Sequence, residues 1–123
     1  MQARYVRLFS TAEGSSHFQD LESELHLTEF APSIPPLYVS SPNMADQVSF
    51  FGAPANWSSE WHPSSGRHLF AVLSGEWEIT TSDGDTRRFK MGDVILVEDT
   101  SGIGHTSRVV SKEASLALLI RLT

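Results

Sequence analysis

Residues 61–75 read Trp61-His62-Pro63-Ser64-Ser65-Gly66-Arg67-His68-Leu69-Phe70-Ala71-Val72-Leu73-Ser74-Gly75. Pro63 and Gly66 interrupt any regular pairing between the two histidines. An apolar run then begins and stops at a Ser-Gly turn, which is the signature of a short strand over residues 67–73. Phe70 and Val72 share a side with His68, while Leu69, Ala71 and Leu73 occupy the other. A strand that is apolar on both sides needs cover on both. The N-terminal segment or a second subunit would supply it, and a homodimer packed over this sheet is expected.

Strand-like runs continue at residues 76–82, 86–90, 94–99, 105–110 and 115–122, punctuated by Asp83-Gly84 and Met91-Gly92-Asp93. Asp-Gly between two such runs marks a tight hairpin. Short strands at this spacing describe an antiparallel sandwich or barrel. Within residues 76–82, Trp77, Ile79 and Thr81 face one way and Glu76, Glu78 and Thr80 the other. Too little helix is present for a βαβ fold. The expected class is all-β, a jelly-roll barrel with little helix.

Upstream the pattern weakens. Residues 5–9 read as a short strand, 48–52 as another and 54–59 as a loop. Residues 15–25 are ambiguous, because Phe18, Leu21 and Leu25 also fit one helical face. Three prolines within residues 31–36 exclude helix and central strand, so an extended segment across the barrel is expected there. The chain is therefore read as one domain, with residues 1–45 an irregular arm packed on a barrel of residues 46–123.

Composition narrows the function classes. The chain has 123 residues, enough for one domain, with 40% hydrophobic content and a net charge of −6. That charge disfavours nucleic acid, which needs clustered Lys and Arg. Cysteine is absent, which excludes disulfides, thiolate metal ligands and a Cys nucleophile. The longest apolar runs have five residues, against the ~20 of a membrane span. The first residues do not resemble a secretory signal. A cytoplasmic protein that binds neither membrane nor nucleic acid is expected.

A second block, Gly92-Asp93-Val94-Ile95-Leu96-Val97-Glu98-Asp99, runs through Gly102 and Gly104 to His105. The two blocks together resemble those of the cupin family of double-stranded β-barrels, over about residues 57–110. The family's first motif carries two histidines one residue apart, a glutamate three or four residues on, and a glycine after six more. Counting back from Gly75, His68 stands at the glutamate, His62 at the first histidine and Ser64 at the second. Its second motif matches at Gly92, Gly102 and His105, while Thr100 replaces the usual proline and Val109 the usual asparagine.

The resemblance implies a small metal-binding cupin, with His62, His68 and His105 holding one divalent ion (Fe, Zn, Ni or Mn). Three imidazoles suffice for such an ion with water in the open position. The implied function is a metal-dependent enzyme on a small organic molecule, of oxygenase, isomerase or decarboxylase type. Glu98 or Glu60 would handle a proton, and iron chemistry would need Glu60, Glu98 or Asp99 as a carboxylate ligand. Two alternatives stay open: a non-catalytic small-ligand sensor, and a metal-free isomerase, lyase or cyclase with His62 and His105 as acid–base pair. The histidines also admit a structural reading, with His62 capping the barrel and His68 satisfied by a backbone carbonyl.

Trp57 and Trp61 offer aromatic walls to a substrate, and Arg67 would anchor an anionic group. Phe70 and Trp77 fit core positions better. Glu98 and Asp99 point to opposite faces, but both sides of their strand are apolar, so the sequence does not choose which acid looks inward. Asp99 is also suited to tie down residues 100–104 by accepting backbone N–H bonds.

Overall fold

A computed structural model describes all residues from Met1 to Thr123. It contains eleven strands and no helix, so no helix is long and apolar enough to cross a membrane. The strands are β1 (Gln2–Ser10), β2 (Ser16–Glu24), β3 (His26–Thr28), β4 (Leu37–Val39), β5 (Ala45–Ala53), β6 (His68–Ser74), β7 (Glu76–Thr81), β8 (Thr86–Lys90), β9 (Val94–Glu98), β10 (His105–Val109) and β11 (Ser115–Leu122). A six-stranded sheet, β2-β1-β9-β6-β11-β5, faces a three-stranded sheet, β10-β7-β8. The β1–β9 pairing is parallel and the remaining ladders are antiparallel. This is the all-β jelly-roll architecture read from the turns.

The core lies between the sheets. Leu8, Ala53, Phe70, Val72, Trp77, Ile79, Phe89, Ile95, Val109 and Ala117 form one buried cluster, to which both sheets contribute. Trp77, Ile79 and Thr81 all point inward, as the alternation in residues 76–82 requires. Trp77 meets Phe70 edge-on, with ring centroids 5.5 Å apart, and Trp57 in the same manner at 5.6 Å. Edge-to-face contact places the positive ring edge on the negative face of its neighbour.

The N-terminal 45 residues depart from the irregular arm expected of them. β1 and β2 form a hairpin, and β1 docks in parallel on β9 with Val6 opposite Ile95 and Leu8 opposite Val97. They extend the sheet sideways and do not cover its outer face. Within the stretch 15–25, ambiguous in sequence, Ser16–Glu24 is strand, because Phe18 packs on Phe89 and the backbone pairs along β1. Residues 31–36 do not cross the barrel. They form the turn of an exposed hairpin, β3–β4, whose strands pair only with each other. Prolines lack the N–H that pairing with a barrel strand would use.

Candidate functional site

His62 and His105 are brought together by the backbone. They form an isolated antiparallel bridge, His62 N–H to His105 O at 3.1 Å and His105 N–H to His62 O at 3.0 Å. Their ring centroids lie 4.7 Å apart. Gly104 makes this approach possible. It has φ +75°, and a Cβ there would lie 2.0 Å from the His62 carbonyl oxygen. Gly102 plays the same part against the β1–β2 turn, where a Cβ would lie 2.1 Å from Gly14 O. Only glycine accepts such positions without strain.

Asp99 is fully buried, and its Oδ2 accepts a 2.5 Å hydrogen bond from His105 Nδ1. Its Oδ1 has no hydrogen-bond partner, so this carboxylate is anchored through His105 alone. Asp99 thus does not tie down residues 100–104 with its side chain. Its backbone carbonyl instead accepts the Ser64 N–H at 2.9 Å, which fastens the His62–His68 loop to the end of β9.

The other two imidazoles are held in the same sense. His62 Nδ1 lies 2.8 Å from the Glu60 carbonyl oxygen, and His68 Nδ1 lies 3.0 Å from that of Gly66. Carbonyls and carboxylates only accept, so each neutral ring carries its proton on Nδ1 and leaves Nε2 bare. All three rings line one cavity of ≈ 270 Å³ at the barrel mouth, with Trp57, Phe70 and Trp77 among its walls. They do not converge on a common point: no group of three or more His or carboxylate side chains is placed to hold a metal ion. The site thus supplies the donor type expected for a divalent ion, while its geometry does not assemble the set.

None of the 15 residues lining the cavity is Lys, Arg, Asp or Glu. Arg67 and Glu98 both lie outside it. Glu98 sits on the outer face of the six-stranded sheet, where it accepts from Arg67 Nε at 2.9 Å and from Arg7 Nε. Burial pushes its carboxyl up, but hydrogen bonds and charge from the two arginines outweigh that and hold it below the ordinary range. A carboxylate so engaged and so placed is not a proton carrier for the mouth. Glu60 is exposed and contributes its backbone carbonyl, not its acid, to His62. Trp57 is on the cavity wall, whereas Trp61 is absent from the lining and largely exposed.

Sequence reasoning left Asp99 unresolved and missed Ser16. Ser16 is buried, and its hydroxyl donates to Gly104 O at 2.6 Å. It also exchanges hydrogen bonds with Ser82 at 2.7 and 2.8 Å. The N-terminal hairpin therefore braces the turn that carries His105. The one available signal was its position at a strand start after Gly14, next to a residue of strand-like character. A larger open groove of ≈ 760 Å³ runs between β2 and β8. Its Arg87 pairs with Asp20 and its Arg4 with Glu22, and it holds no imidazole, so the chemistry favours the smaller cavity.

No family model matches the chain, and no curated protein does. Solved structures do. The Cnp3 cupin domain of Schizosaccharomyces pombe superposes with a TM-score of 0.51 at 19% identity, covering 100% of this chain and 83% of that one. A conserved protein of unknown function from Streptococcus pyogenes, SPY1581, gives a TM-score of 0.47 at 24% identity over 70% of this chain and 69% of its own. The Drosophila melanogaster CENP-C cupin domain gives 0.47 at 13% over 80% and 70%. The Cnp3 match spans the whole chain, and the fold is a cupin barrel.

Proposed function

We propose that this cupin barrel takes a compact, uncharged, ring-bearing organic molecule into its mouth and that His105 moves a proton on it without a metal. The observation that carries the reading is the buried Asp99–His105 pair at the wall of a cavity with no charged lining. Asp99 fixes the Nδ1–H tautomer and holds the ring still, so Nε2 is free to accept a proton from a bound molecule. The carboxylate behind the ring offsets the charge that appears when it does. The proton that Nε2 of His105 accepts is returned from the same nitrogen to a second position of the ligand, so one base serves both halves of the transfer. Aromatic walls suit a planar ligand, and the absence of any cationic side chain in the lining removes the partner that a carboxylate or phosphate would need.

A stability screen tests the binding half. Small neutral aromatic and heteroaromatic compounds raise the melting temperature by native-state binding, whereas their carboxylated analogues do not. Incubation of the binders in D2O, followed by mass spectrometry, tests the chemical half. Deuterium enters a carbon position of the ligand with the wild type and not with His105→Ala. Binding without exchange would leave a sensor in place of an enzyme, and preferential binding of the anionic analogues would overturn the ligand class.

One observation favours a second reading, a divalent cation. Each of the three imidazoles has Nδ1 engaged by an oxygen and Nε2 bare, which is how metal-binding histidines are held. His62 and His105 would hold the ion, with His68 joining after a ring movement. The ion would act as a Lewis acid toward a substrate oxygen. Elemental analysis of protein purified without an affinity tag distinguishes the readings. One equivalent of metal, lost in His62→Ala and His105→Ala, would replace the first reading by the second.

A further inference from the structure

Ser107 lies on β10 two residues beyond His105, on the same face of the strand and about 7 Å farther along it. Its register partner on β7 is the buried Ile79, and the next residue on its own face, Val109, is buried too. His105 and Ser107 both line the mouth cavity, together with Trp57 and Trp77. The Ser107 backbone is fixed on both sides of its peptide: its N–H donates to Ser59 Oγ at 3.1 Å, and its carbonyl accepts the Ser59 N–H at 2.9 Å. The Ser107 hydroxyl, by contrast, makes no hydrogen bond within the chain. The other two serines of the lining differ. Ser64 donates its hydroxyl proton to Gly66 O at 2.6 Å, and Ser65 is exposed. A hydroxyl left open among apolar walls is a donor offered to whatever fills them.

We propose that Ser107 holds the oxygen of a ketone in the mouth, so that the substrate class is a neutral, ring-bearing ketone with a hydrogen on the carbon next to its carbonyl. The assignment rests on His105 acting as the base of this cavity. The three imidazoles present bare Nε2 atoms, which accept and do not donate. The Trp77 N–H is sealed from solvent, and the Ser64 proton is taken. Ser107 supplies the donor that this set lacks. Its spacing from His105 sets the chemistry. A hydroxyl needs ~2.8 Å to a ligand oxygen, and a base needs ~3 Å to the reacting carbon. With the two groups one strand repeat apart, that oxygen and that carbon are close neighbours in the ligand, as a carbonyl oxygen and its adjacent carbon are. Nε2 of His105 takes the proton from this carbon, and the C–H electron pair becomes a C=C bond. The carbonyl pair moves onto oxygen, where the Ser107 hydroxyl donates to the growing negative charge. Return of the proton to the same carbon, or to one conjugated with it, restores C=O. The apolar surroundings strengthen the hydroxyl–oxygen contact.

Two planar neutral compounds that differ by the carbonyl oxygen, 2-indanone and indane, test this on the full chain by calorimetric titration. Wild type prefers the ketone about tenfold. Ser107→Ala binds the two equally, and its unchanged affinity for indane shows that the cavity is intact. In D2O, deuterium enters the carbons flanking the carbonyl of 2-indanone with the wild type, and about 100-fold more slowly with Ser107→Ala. With His105→Ala it enters no faster than in buffer, while the preference for the ketone is kept. Equal binding of ketone and hydrocarbon by the wild type, or exchange indifferent to Ser107→Ala, would overturn the role of Ser107 and leave His105 as the base. Failure of both compounds to bind, or exchange that survives His105→Ala, would remove the reading beneath it and the assignment together.

Discussion

The two faces of the six-stranded sheet meet at the end of β9, where Glu98 and Asp99 are chain neighbours with opposite surroundings. Glu98 projects outward and is shared by Arg7 and Arg67 in a partly hydrated ion cluster. Asp99 is enclosed, meets a single imidazole, and has one oxygen with no partner at all. The same contrast runs the length of the strand. Ile95 is fully buried against Phe70 and Leu8, whereas Leu96 lies half-buried in an apolar row with no cover. Side-chain chemistry alone does not separate these pairs; strand alternation and the partner strands do.

The contrast makes its largest claim about stability. Ile95→Ala opens a cavity inside the barrel and costs about 3 kcal/mol, while Leu96→Ala, one residue away, costs about 1 kcal/mol or less. Urea unfolding of both checks it, and equal losses would break the distinction between the faces. Close behind is Gly104→Ala. A Cβ there meets the His62 carbonyl, so the His62–His105 bridge separates at a cost of about 2–3 kcal/mol. The ring contact between the two histidines is lost with it, which histidine chemical shifts report. Retention of both stability and ring contact would show that the glycine is not what sets the approach.

Glu98 gives the smallest effect and the sharpest pH signature. Its pKa is lowered in the fold, so its contribution is fully present above its ordinary value of 4.5 and is lost as the pH falls through the lowered one. Glu98→Gln therefore costs about 1 kcal/mol at pH 7, a figure kept small because both arginines are solvated. That difference shrinks in acid. A constant difference from pH 7 to pH 3 would mean that the side chain acts through packing and not through charge.

The barrel was legible wherever local signals agreed. Asp83-Gly84 placed the β7–β8 hairpin, and the alternation of Trp77, Ile79 and Thr81 placed its inner face. The N-terminal strands were not legible, because β2 reads Ser-His-Phe-Gln-Asp-Leu-Glu-Ser-Glu, and only pairing to β1 selects strand over helix. The site was half legible. His62, His68 and His105 do share a cavity, but the acid that serves it, Asp99, sits on a strand apolar on both sides, where parity carries no information. Arg67 and Glu98 satisfied each other on the outer face, an outcome set by the distance between strands and invisible in sequence spacing. The uncovered outer face, by contrast, was foreshadowed by the two-sided apolar pattern of residues 67–73.

The proposed chemistry requires that Asp99 leave Nε2 of His105 bare toward the cavity. A long-range nitrogen–proton correlation spectrum of the imidazole rings, recorded at alkaline pH where free imidazole is neutral, reads this directly. The proton of His105 is expected on Nδ1, with a bare Nε2 whose resonance moves when a neutral ligand saturates the mouth, and that tautomer is lost in Asp99→Asn. A His105 ring protonated on Nε2, or one indifferent to the Asp99 substitution, would contradict it.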